Sequence, residues 1–211
     1  MHAPAHFRMD DQEAMAAFIE ARHFGTLVVS GPNGPQAAYA PMLLNRDEDG
    51  RAVSLECHLS RSNPVAALAA SGVRALAIFH GADTYVTPSF YLSKREHGKV
   101  VPTWNYVSVE VAGEAVAFED AASLQAQIAR MTDVMEQPSA APWAVSDAPA
   151  DYVAKMVNGI IGLRVSIDSI EGVRKLSQNR SEGDRAGVLN GLTHSTDPSA
   201  RQVAAEMTKE A

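Results

Sequence analysis

Four short stretches concentrate the side chains able to do chemistry. "HLSRSNP" (58–64) ends in Ser60, Arg61 and Ser62 just before Asn63-Pro64, a cap and first-turn pair for a helix. Hydroxyls, a guanidinium and free helix N–H groups together suit an anion. "TYVTPSFY" (84–91) sets Tyr85, Thr87, Ser89 and Tyr91 at two-residue spacing, so on an unkinked strand they share one face. "RKLSQNR" (174–180) places three cations in seven residues. There Lys175 and Arg180 suit a dianionic phosphate, while Gln178 and Asn179 suit amide-like edges. "VVPTWNYVSVEVAG" (100–113) begins with Pro102, Trp104, Asn105 and Tyr106. Proline cannot donate to a ladder, so this end is an edge or a strand entrance. Its two flat rings either plug a core or wall a site for something flat.

Each stretch alone has a plainer reading: a helix cap, a solvated sheet face, a solvated loop, a core plug. Together they match flavin mononucleotide (FMN). Its ring is flat and apolar over its faces, bears hydrogen-bonding atoms along one edge, and trails a phosphate dianion. Trp104 and Tyr106 suit the ring; Ser60, Arg61 and Lys175 suit the phosphate. Other chemistries lack their signatures. There is no Gly-x-Gly-x-x-Gly, no phosphate loop and no nucleophile elbow. Cys57 and His58 are neighbours in a strand pattern and point to opposite faces, so they form no dyad. His2 and His6 have helical spacing but precede the first helix, and no metal site or catalytic residue is assigned.

These stretches need elements to hold them. Asp10 and Glu13 resemble a capping box, and the apolar spacing predicts a helix over about 11–23. Segments 26–30 and 36–45 read as a hairpin around the turn 31–35, longer than a tight one. In "AVSLECHL" (52–59), Val53, Leu55, Cys57 and Leu59 face one way, and Ser54, Glu56 and His58 the other. A short helix follows Asn63-Pro64. Segment 73–80 reads as a strand buried on both faces, followed separately by 84–91. Helices are expected over 122–136, 151–159 and from Asp197-Pro198, with a loop at 138–149 and a strand over 160–170. Residues 171–192 read as polar and glycine-punctuated. Six or seven mostly antiparallel strands with inserted helices favour a β-barrel over a doubly wound sheet.

The bulk properties agree with a globular protein: 211 residues, 46% apolar and 20% charged. A net charge of −7 counts against non-specific binding to phosphate backbones. One cysteine fits a reducing compartment, and the N-terminus shows no signal peptide, so a cytoplasmic protein without a membrane span is expected.

"HLSRSNP", "TYVTPSFY", "VPTWNYVSVEVAG" and above all "KLSQNR" followed by "DRAGV" resemble the PaiB-type family of FMN-binding negative transcriptional regulators. The resemblance runs in order to about residue 192, with Thr87 and Phe90 standing where that family is expected to carry Ser and Trp. It implies a β-rich α+β fold, an FMN-binding split β-barrel with peripheral helices, related to pyridoxamine-phosphate oxidases and flavin reductases. Residues 1–192 would form that domain, and 193–211 a C-terminal helix packed on it or extending from it. The resemblance further implies a homodimer with shared FMN sites, consistent with the edges marked by Pro88 and Pro102. Carried over by position, the FMN-binding residues are His58, Leu59, Ser60, Arg61, Asn63, Tyr85, Thr87, Ser89, Trp104, Asn105, Tyr106, Lys175, Gln178, Asn179 and Arg180. The expected function is a flavin-dependent redox protein or a redox-linked negative regulator. The alternatives are a split barrel binding haem through His58 or His80, and a DNA-binding repressor using FMN only as a sensor. No helix-turn-helix pattern or basic stripe supports direct DNA contact.

Overall fold

Local chemistry sets the element boundaries in the computed structural model, which describes Met1 and residues 3–209. The first helix, α1 (Gln12–Arg22), is capped by Asp11, whose carboxylate accepts from the Glu13 and Ala14 amides at 2.9 and 3.2 Å. The neighbouring Asp10 pairs instead with Arg8. In chain order β1 (Arg8–Met9) precedes that helix, and β2 (Phe24–Gly31) and β3 (Gly34–Pro41) follow it. The β2–β3 hairpin is tighter than its sequence suggests. Gly31 pairs with Gly34, leaving only Pro32 and Asn33 in the turn. Gly34 makes this possible by adopting φ 110°, open to a residue without Cβ. After Pro41 the chain leaves β2, and β4 (Leu43–Arg46) pairs with β5 (Ala52–Ser60) instead.

Asn63 caps α2 (Pro64–Leu68) by accepting from the Val65 amide at 3.0 Å. The next strand, β6 (Val73–Val86), is longer than the expected 73–80 and absorbs Thr84–Val86. Its inner face (Ala75, Ala77, Phe79) is buried, and Leu76 and Ile78 on the other face are half-buried rather than fully covered. Pro88 then starts a single tight turn, Pro88–Phe90, capped by Thr87. The two-residue spacing of Tyr85, Thr87, Ser89 and Tyr91 therefore does not make one strand face. Tyr85 is exposed and Tyr91 is buried.

Helix α3 (Ser93–Glu96) precedes β7 (Thr103–Phe118), and α4 (Ala121–Glu136) is capped by Asp120. Helix α5 (Ala150–Val157) leads into β8 (Ile160–Lys175), five residues longer than expected. The glycine-punctuated segment hides a helix, α6 (Glu182–Thr193), before α7 (Pro198–Lys209). Its glycines answer a close approach. A Cβ at Gly187 would lie 2.1 Å from the Phe90 carbonyl, and one at Gly191 2.4 Å from the Phe90 ring.

The eight strands form one sheet in the order β3-β2-β6-β7-β8-β5-β4, with β1 added on β8. It does not close on itself, and the fold is a β-rich split barrel with peripheral helices. Two compact units divide the described chain. The first comprises residues 1–15, 80–110 and 171 onward; the second comprises 16–79 and 111–170. The first has Met9, Val86, Tyr91, Val107, Val109, Leu176, Val188 and Met207 in its core, and the second Leu27, Val29, Leu55, Phe79, Val111, Leu163 and Val165. Each fully buried side chain of this kind contributes roughly 1.5–3 kcal/mol. No helix among the described residues is long and apolar enough to cross a membrane.

Candidate functional site

In the first unit the start of β7 alternates sharply. Trp104 is 54% exposed, whereas Asn105, on the opposite face, is fully buried and Tyr106 is half-buried. The Tyr85 ring, 49% exposed, meets Trp104 edge-to-face with centroids 6.3 Å apart. The exposed Trp104 ring thus offers a flat apolar face beside the entrance of the strand, with the Tyr85 ring set steeply against it. Lys175, the last residue of β8, joins it. Its ammonium donates to Thr103 Oγ1 and to the Trp104 carbonyl at 2.8 Å, leaving a third N–H unengaged.

The turn after Lys175 is held from inside. Ser177 adopts a left-handed φ of 65°, a conformation that disfavours side chains and needs local support. Asn105 supplies it, donating through Nδ2 to Ser177 Oγ at 2.9 Å from a fully buried position. Gln178 folds back on its own turn: Nε2 donates to the Arg174 carbonyl at 2.6 Å, and Oε1 accepts from the Leu176 amide at 2.7 Å. Asn179 is exposed. Arg180 stacks over the buried Tyr91 ring at 4.7 Å. Tyr91 Oη is buried without a hydrogen-bond partner.

Electrostatically this corner is cationic. Burial, and then the neighbouring Arg180, push Lys175 below the usual lysine range, and no carboxylate among the described residues lies within ion-pair distance of it. Burial drives Asp184 the opposite way from its bonds. Those bonds, from the Ser93 hydroxyl and amide, together with the Arg180 charge prevail and hold its carboxyl below the usual range. Asp184 thereby ties α3 to α6. Ser89 accepts from Lys94, and Thr87 caps its own turn.

The second unit holds the other expected cluster. Arg61 is already engaged, donating through Nε to the Asn158 carbonyl at 2.9 Å and through a terminal nitrogen to Glu119 at 2.5 Å. Ser60 and Ser62 hydroxyls bond each other at 2.9 Å, Asn63 caps α2, and Leu59 is buried. His58, half-buried, sets Nδ1 2.9 Å from Gln127 Oε1 of α4.

The structure thus brings together Tyr85 with Trp104, Lys175 with the Trp104 carbonyl, and Asn105 with Ser177, all in one unit. His58, Leu59, Ser60, Arg61 and Asn63 belong to the other. Sequence reading missed Thr103, Ser177 and Asp184, and it named Tyr91 as part of a hydroxyl face although the structure buries it. Thr103 and Ser177 lie inside the quoted motifs, but nothing in the sequence pairs them with Lys175 and Asn105. His2 lies outside the described residues, and among those residues no cluster of metal-ligating side chains occurs. Chemically, the first unit presents a flat aromatic surface beside cations that lack a full complement of anions. That arrangement suits a planar ring with an anionic tail.

The chain is similar to known proteins over most of its length. It is 28% identical to the protease synthase and sporulation protein PAI 2 of Bacillus subtilis, covering 97% of this chain and 95% of that one. It is 34% identical to an uncharacterized protein of Emericella nidulans, covering 79% of each. The solved FAD and heme binding protein of Mycobacterium smegmatis shares its fold, with a TM-score of 0.58 at 15% identity over 85% of this chain and 78% of that one. A family model described as "Putative FMN-binding domain" matches residues 1–169. The chain belongs to this FMN-binding family, of the PaiB type, and FMN is its cofactor.

Proposed function

We propose that the chain is an FMN-dependent redox protein in which Lys175 and Arg180 hold the cofactor phosphate. The ring lies against Trp104, with Tyr85 and Tyr106 beside it. The observation that carries this reading is the state of Lys175: it is partly desolvated, close to a second cation, without a carboxylate, and has one N–H to give. A dianion placed there relieves the repulsion between the two cations and adds charge-assisted bonds. Bound FMN supplies one- and two-electron chemistry; the chain supplies the platform, the cations and the buried Asn105 that keeps their turn in place.

Regulation is the second part of the proposal, and we link it to the flavin's redox state. Its support is the motif resemblance to a family of negative transcriptional regulators and the name of the Bacillus subtilis relative, a protease synthase and sporulation protein. A homodimer is the expected assembly, because Trp104 and Tyr85 are large apolar surfaces for a partner copy to cover. His58 could serve a haem only through Nε2, since Nδ1 is engaged by Gln127; a Soret band in the purified protein would establish that alternative.

The test is a fluorescence titration of the apoprotein with FMN and with riboflavin, which lacks the phosphate. Arg180→Ala and Lys175→Ala each weaken FMN about tenfold to a hundredfold, since one charge-assisted contact contributes on the order of 1.5–3 kcal/mol. Riboflavin binds weakly to all three proteins and responds little. Equal losses for both ligands would place these residues at the ring instead. For the redox reading, the loaded protein must pass electrons from a reduced nicotinamide to an acceptor faster than the same concentration of free FMN.

A further inference from the structure

A second charged assembly lies in the other unit, on the strand face that Ser54 and Glu56 share with His58. Glu56 of β5 sits opposite Leu43 of β4 and Arg164 of β8. Its carboxylate is buried, with 4% side-chain exposure. One oxygen accepts from Arg164 Nε and a terminal nitrogen at 2.8 and 2.7 Å; the other accepts from Arg130 of α4. Arg130 also donates to Asn45 Oδ1 at 2.8 Å, and Asn45 donates to Ser54 Oγ at 3.1 Å. The Arg164 guanidinium lies 5.6 Å from the Phe118 ring centroid. Arg46 completes the rim, held by Glu20 and the Gly50 carbonyl.

One buried carboxylate thus anchors two guanidiniums, although one would neutralise it. The Arg130 and Arg164 side chains stay 49% and 58% exposed, and line an open cavity of about 550 Å³ with Leu44, Asn45, Arg46, Ser54 and Glu56. Of the neighbouring acids, Glu20 is committed to Arg46. Asp120 feels the Arg164 charge only after its stronger bonds from Ser123 and offsets part of the surplus. Arg130 Nε and Arg164 Nη1 keep unengaged N–H groups, and Ser54 keeps its hydroxyl proton as a donor. Glu56, Asn45 and Phe118 hold the two side chains, so much of the entropy of ordering them is lost on folding rather than on binding.

We infer that this cup is a binding site for a small oxyanion, a carboxylate or phosphate group of a metabolite, with Arg130 and Arg164 as its ligands. It differs from the FMN phosphate site proposed above and does not depend on it.

The experiment titrates the FMN-saturated full chain with inorganic phosphate, and separately with acetate, in chloride buffer, following the arginine Nε–Hε signals by nitrogen-15 NMR. The Arg130 and Arg164 signals should move saturably, with a Kd of about 1 mM or tighter for the preferred anion. The anion that saturates first identifies the group as phosphate or carboxylate. Arg164→Gln and Arg130→Gln should each weaken it about tenfold, and Glu56→Gln should tighten it, because the internal competitor loses its charge. Backbone amide spectra report which variants stay folded; Arg130→Gln, on a helix surface, keeps the test alive if Arg164→Gln does not fold. Shifts that never saturate, or that the variants leave unchanged, mean an adventitious ion only and overturn the inference. Shifts seen in the apoprotein but abolished by FMN would assign the cup to the cofactor, overturning this inference and the Lys175–Arg180 reading together.

Discussion

The segments 60–63 and 174–180 contain much the same chemistry: a guanidinium, hydroxyls or amides, and a tight turn next to a helix start. They differ in what already holds those groups. In the first, Glu119 and a carbonyl take Arg61, Ser60 and Ser62 take each other, and Asn63 takes a helix amide. In the second, Gln178 is turned inward to cap its own turn and Asn105 of β7 holds Ser177, while Lys175 keeps its charge without a carboxylate. An anion arriving at the first must displace an ion pair; one arriving at the second completes an unfinished set. Residue types nominate both segments, and only the partners separate them.

The largest effect should come from removing the corresponding cation in each. Arg180→Ala weakens FMN by the tenfold to hundredfold given above, whereas Arg61→Ala changes it less than about fivefold, because Arg61 is already spent on an exposed ion pair worth roughly 0–1 kcal/mol. Isothermal titration of both variants decides it. A loss for Arg61→Ala equal to that for Arg180→Ala would erase the distinction between the segments.

Next in size are changes to the supports. Asn105→Leu leaves the Ser177 hydroxyl buried without its partner and the left-handed turn without its anchor. A loss of about 1–3 kcal/mol in unfolding free energy is expected by denaturant titration. Gly187→Ala drives a Cβ into the Phe90 carbonyl, a backbone atom that cannot rotate away, and should cost a similar 1–3 kcal/mol. Because Phe90 adjoins Tyr91, on which Arg180 stacks, that variant should also weaken FMN. In the other segment, Ser60→Ala removes an exposed hydroxyl pair and a long 3.3 Å bond from the Ser62 amide, and should leave stability within about 0.5 kcal/mol.

These supports also mark what was legible from the sequence. Apolar spacing gave α1 and α4 and the pair Asp197-Pro198 gave the start of α7, although Asp11 caps α1 rather than the expected Asp10. The family motifs gave the barrel. Helix α6 was hidden because Gly183, Gly187 and Gly191 break helical periodicity, and the last two are explained by Phe90, about a hundred residues away. The supposed face of hydroxyls from Tyr85 to Tyr91 failed locally, because Pro88 ends the strand and starts a turn. The site's residue types were visible in four motifs. Their partners were not: Arg61 meets Asn158 across 97 residues, and Lys175 meets Thr103 across 72. A motif cannot display a contact of that separation.

The smallest effect is also the most specific to the second segment. Burial and Arg180 lower the Lys175 pKa from its ordinary value of 10.5, so between the lowered value and 10.5 the unfolded apoprotein binds more protons at this residue than the folded one. Apoprotein stability therefore rises with pH through that alkaline window, as an unfavourable charge is released. FMN affinity must move the other way. The phosphate favours the charged lysine, so binding is strongest below the lowered pKa and weakens as pH rises through it. Melting temperature and FMN affinity, measured on one pH series, should diverge in wild type, and Lys175→Gln should remove this contribution from both. Arg61→Ala should leave the divergence intact, since no lysine charge is altered. If stability and affinity fell together with rising pH in wild type and in Lys175→Gln alike, Lys175 would not be the group that links them, and the phosphate would have to be held elsewhere.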